Sequence, residues 1–124
     1  MLFRSRLASL VEACWTVLDR VVAGAPAELR KGPRGGGRDR DKIVDHVLGA
    51  EEAYARKIGL RLRQPALDDA KAVAAHRAAL AEAVRTAAHG QRDKNEPGWP
   101  PRYAARRIGW HTMDHAWEIE DRSE

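Results

Sequence analysis

The chain is poor in cysteine and in long apolar runs, and each lack excludes a class of protein. A single cysteine, Cys14, rules out a disulfide framework and any cysteine-based zinc knuckle, and it fits a reducing compartment. No apolar run approaches the ~20 residues of a membrane span, so no membrane partner is expected. The segment after Met1 is apolar-periodic but carries Glu12 and Asp19, which a signal-peptide core would not tolerate. The expectation is a cytoplasmic protein. The alternating β-branched pattern of strands is missing throughout, and no internal repeat is visible.

What is there is enough for one domain spanning 1–124: the chain has 124 residues, 44% of them hydrophobic. The net charge is +4, with 17 arginines against 5 lysines. A basic chain invites a nucleic-acid reading. The excess is local, however. Between Gly24 and Arg40 stand Arg30, Lys31, Arg34, Arg38 and Arg40 against Glu28 and Asp39, which supplies three of the four net charges. A basic Gly/Pro-rich loop over 24–40 therefore accounts for the charge, and no nucleic-acid partner is expected. Its run from Lys31 to Arg38 lacks the Gly-Lys-Ser/Thr ending of a phosphate-binding loop, and no strand precedes it. It reads as a flexible linker, with a lid over a nearby pocket as the rival role.

Four helical stretches account for most of the remainder. The first runs from about Phe3 to Ala23, with Phe3, Leu7, Leu10, Val11, Cys14, Leu18 and Val21 on one face. The second opens at Asp39 or Asp41 and runs to Ile58, with Gly59 as its stop and Ile43, Val47, Ala50, Tyr54 and Ile58 as its stripe. Pro65 and Asp68 open a third, alanine-rich helix to about Ala88, whose stripe is Ala70, Val73, Ala74, Leu80, Val84 and Ala87. Pro100 and Pro101 open the last, which reaches about Arg122. The pattern predicts an all-α protein, an antiparallel four-helix bundle.

The chemistry lies with the histidines. His111 and His115 are four apart on the last helix, within one arc that also holds Ala104, Ile108 and Ile119, the stripe expected to face the core. Two imidazoles at that spacing can chelate one divalent ion through neutral ring nitrogens. His46 flanks the stripe of the second helix, where it can meet the pair across the bundle. His46, His111 and His115 thus form a candidate metal site with open positions for water or substrate. Zinc and nickel stand first among the ions that three imidazoles accept. A di-iron centre is excluded because no Glu-x-x-His occurs. A zinc peptidase is rejected because Asp114 stands where His-x-x-Glu-His needs glutamate. His76 and His89 fall off their stripe or past their helix and are expected to be solvated. Arg77 lies within the third helix's apolar arc, either snorkelling outward or reaching an anionic substrate group. Glu118, on the metal side of the last helix, is a candidate to orient a ligand histidine, to act as a base, or simply to edge the helix. Cys14 is expected to be a small core residue.

Asp45-His46 in the second helix and the run Arg107 to Glu118 (RIGWHTMDHAWE) in the last resemble the DinB-like, or YfiT-like, metalloenzymes, and the likeness spans essentially the whole chain. The resemblance implies a four-helix bundle whose ligands are His46, His111 and His115. It also implies chemistry among reactions that include thiol-dependent S-transfer and maleylpyruvate isomerisation. The expected function is metal-dependent chemistry on a small molecule with a low-molecular-weight thiol as partner, and Arg77 and Glu118 as catalytic candidates. The rival is a non-catalytic dimeric binding bundle whose metal is structural or absent. Tyr103, Trp110, Met113 and Trp117 share an arc nearly opposite the histidines, and either loops cover them or they form a homodimer interface.

Overall fold

The computed structural model describes residues 6–89 and 98–123. The expectations placed on Phe3 and on the side chain of His89 lie outside the described residues. Four helices form: α1 (Arg6–Gly24), α2 (Arg40–Arg56), α3 (Ala70–His89) and α4 (Pro101–Asp121). No strand occurs among the described residues. The protein is an all-α four-helix bundle.

Local chemistry sets the helix ends. α2 stops because Gly59 takes a positive φ of 81°, which lets Leu60 N–H reach back to Ala55 O at 2.9 Å and turn its side chain onto the core. α3 is capped by Asp69, not Asp68: Asp69 Oδ1 accepts from Ala72 N–H at 3.0 Å. α4 opens on Pro101, whose missing N–H costs nothing in a first turn.

Packing pairs the helices out of sequence order. The most extensive contact joins α1 to α4, and α2 also packs on α4. Ala8, Val11 and Trp15 of α1 meet Ala105 and Ile108 of α4, while Leu18 meets Ala116 and Ile119, so these two helices run parallel. α2 runs against them, with Ile43 and Val47 beside Leu18 and Ile119 and Ala55 beside Ala8 and Ile108. α3 also runs against α1, as the ion pairs Arg77–Asp19 and Arg85–Glu12 require. The 57–69 segment returns along α2, where Gln64 bonds Asp45 and its N–H donates to Glu52 at 2.8 Å. Gly109 makes the α1–α4 approach close: a Cβ there would stand 3.3 Å from Cys14 Sγ. Cys14 is buried and free, and burial pushes its thiol pKa up.

Five expectations are corrected. The bundle is not antiparallel throughout, because α1 and α4, which share the largest contact, run in the same direction and α2 and α3 both run against them. Leu10 is exposed, since α1 buries Ala8, Val11, Cys14, Trp15 and Leu18 instead. His76 is buried, not solvated. The alanines Ala70 and Ala74, which face solvent, had pulled the apparent stripe of α3 away from it. The basic loop is fixed to the rest of the chain: Leu29 is buried, Arg30 N–H donates to Arg122 O at 2.8 Å, and Gly32 N–H donates to Gly36 O at 2.8 Å. Asp39 completes the tie by accepting from Leu29 N–H and from Lys31 Nζ. Finally, the core face of α4 centres on Ile108, Thr112, Ala116 and Ile119, which puts His111 and His115 at its margin, not its middle.

Candidate metal centre

The margin of α4 that carries His111 and His115 faces α2, and His46 meets them there from the second turn of α2. His111 Nε2 lies 3.2 Å from His46 Nε2 and 3.1 Å from His115 Nε2. The three ligand atoms lie within 4.8 Å of one another. His46 is exposed and the other two are half-buried, so the cluster opens to solvent along the α2–α4 seam.

The donor set fits a metal ion. Four-coordinate ligands at ~2.0–2.1 Å stand about 3.3 Å apart, close to the separations of His111 from His46 and from His115. Glu118 Oε1 lies 2.7 Å from His115 Nδ1. An ionised carboxylate only accepts, so the proton of a neutral His115 sits on Nδ1 and the Nε2 lone pair points into the cluster. Burial, then the neighbouring His115 and His46, pull the pKa of His111 down to about 4. Burial, then Arg38 and His115, also lower that of His46. Both rings are thus held in the neutral form that binds metal. The three histidines can hold a metal ion. His111 Nδ1 is buried without a partner.

The remaining site candidates separate. Glu118 joins the cluster through His115. Arg77 does not: its Nη1 bonds Asp19 Oδ2 at 2.8 Å and its guanidinium lies 5.5 Å from the Trp15 ring, on the α1–α3 side.

Two features escaped the sequence reading. The first is a buried polar network. Glu51, 1% exposed, accepts from Trp15 Nε1–H at 2.6 Å, and its other oxygen lies 3.1 Å from His76 Nε2. Its signal was present, because Ile43, Val44, Val47, Leu48 and Ala55 surround Glu51 on a buried arc wider than the stripe assigned to α2. The second is an aromatic shelf beside the histidines, built from Tyr54, Trp99 and Arg107.

No family model, curated protein or solved structure matches the chain. Among the described residues no helix is long and apolar enough to cross a membrane.

Proposed function

We propose that this protein is a divalent-metal-dependent enzyme of the DinB-like kind, acting on a small molecule in the cytoplasm, with thiol transfer as its reaction class. The observation that carries the reading is the convergence of three Nε2 atoms at 3.1 and 3.2 Å in a solvent-open seam. A closed four-ligand cage would suit a structural ion; three neutral ligands and an open side suit a catalytic one. Zinc or nickel there would lower the pKa of a bound thiol and so supply a nucleophile at neutral pH. The chain's own part is geometric. His46, His111 and His115 fix the position of the ion, and Glu118 fixes the tautomer of His115. In the transfer itself the thiol gives its proton to solvent, and a carbon–sulfur bond forms to an electrophilic carbon of the second substrate as that carbon's bond to its leaving group breaks, the leaving group departing with the electron pair.

The test begins with metal analysis of protein purified without an affinity tag. One equivalent is expected in the wild type and none in His111→Ala. Cobalt-substituted protein should then change its visible spectrum on addition of a bacterial thiol. Stoichiometric metal with no response to any thiol would leave the non-catalytic binding bundle as the better reading. That second reading has its own support, because Trp110 and Trp117 are 68% and 58% exposed beside Leu10 and Met113 along a groove of about 600 Å³. We place a second copy of the chain on this face, in either reading. Aromatics, methionine and the neighbouring Arg106 are the residue types that such interfaces enrich.

A further inference from the structure

The shelf beside the histidines holds an arginine that the reading above leaves unused. Arg107 stands on α4 one turn before His111. Its guanidinium carbon lies 5.6 Å from the Tyr54 ring centroid and 5.8 Å from that of Trp99. Tyr54 in turn meets His111 edge-on, with centroids 5.7 Å apart, and leans on Trp99 at 5.4 Å. Trp99 is placed by its backbone N–H, which donates to Lys57 O at 2.8 Å, and by the perpendicular ring of Tyr103 at 4.9 Å. Aromatic contact holds a guanidinium through its face and leaves the N–H groups in its plane available.

Among the described residues those N–H groups meet no carboxylate. Arg107 shares the lack of an ion pair among the described residues with Arg20, Arg106 and several other arginines, and what sets it apart is its seat over the Tyr54 and Trp99 rings beside the histidines. Of the acids beside the cluster, Glu118 is engaged by His115, and Asp114 is exposed on the flank beyond His111. A cation that lies over two rings beside the histidine cluster and meets no carboxylate among the described residues therefore makes the seam attractive to an anion. Tyr54 bridges the two ends, so a molecule of modest length spans from the histidines to the guanidinium. One planar fork with no surrounding backbone N–H cradle matches a carboxylate better than a phosphate, whose three oxygens call for more donors.

We propose that Arg107, seated between Tyr54 and Trp99, anchors a carboxylate of the small molecule that reaches the three-histidine cluster. This deepens the metal-enzyme reading by naming its substrate class, yet the anchor can be tested with or without the ion. The probe is benzoate, titrated calorimetrically into metal-free and zinc-loaded protein, with benzamide as the neutral isostere and phenyl phosphate as the phosphate arm. Benzoate is expected to bind both forms and benzamide neither. Arg107→Gln should weaken benzoate about tenfold or more while zinc stoichiometry and helix content stay unchanged. Arg107→Lys, which keeps the charge and loses the fork, should recover only part of the affinity. Arg20→Gln, at an exposed position of α1, should bind like the wild type. Equal benzoate affinity in Arg107→Gln and wild type, or benzamide binding as tightly as benzoate, overturns the anchor. Tighter binding of phenyl phosphate overturns the carboxylate assignment. A protein that takes up no zinc but binds benzoate through Arg107 refutes the metal reading and keeps this one. Zinc uptake with no benzoate response does the reverse.

Discussion

Glu118 reaches His115 from the next turn of the same helix, so its effect on the cluster is separable from that of the ligands themselves. Removing a carboxylate that orients a ligand histidine typically costs 10–100-fold in metal affinity. Glu118→Ala is accordingly expected to bind zinc about 10–100-fold more weakly while still binding one equivalent, as read by competition with a chromogenic chelator. The Glu51 network makes a different prediction. Glu51→Ala strands Trp15 Nε1–H and His76 Nε2 inside the core, and should cost about 2–5 kcal/mol in urea unfolding with no change in zinc stoichiometry. A loss within 0.5 kcal/mol would mean that the network is not the buried arrangement described. The two cases also explain what was legible. His46, His111 and His115 could be paired from the sequence because a spacing of four and a flank position survive small errors in the helix axis. Glu51 and His76 could not, because alanine-rich faces carry little hydrophobic contrast, and a stripe drawn through Ala50, Ala70 and Ala74 rotates the inferred core away from both.

At the scale of elements, helix number and order follow from periodicity and from Gly59, Pro100 and Pro101, while the loop between α1 and α2 does not. Glycine and arginine in series look mobile when no partner is in view. The partners lie far along the chain, at Arg122, or in the side chain of Asp39. Lys31 first, then Leu29 N–H, holds the Asp39 carboxyl below its usual pKa. A depressed carboxyl stabilises the folded state above the unfolded pKa near ~3.9 and loses that contribution as pH falls through the folded value. Wild type should therefore exceed Asp39→Asn in stability by a constant margin at neutral pH, and the margin should close below about pH 4. Urea midpoints for both proteins across that range check it, and a margin that widens in acid contradicts the tie.

For the whole molecule, the uncovered Trp110 and Trp117 predict self-association. Sedimentation at micromolar concentration should give a dimer for the wild type and a monomer for Trp110→Glu, with zinc content equal in both. A wild-type monomer would remove the second copy from that face. The pairing of α1 with α4 has a consequence of another sort, in time rather than in space. Of the four helices α1 is made before the others and its principal partner, α4, after the other two, so Val11, Trp15 and Leu18 wait with their apolar surface exposed until some hundred residues have followed. Contacts so distant along the chain slow the search for the native state compared with a bundle of consecutive hairpins. Residues from α1 through α3 alone lack the surface that closes both halves of the core. A stalled chain ending before Pro101 should consequently remain protease-sensitive throughout, and release of α4 should protect all four helices together.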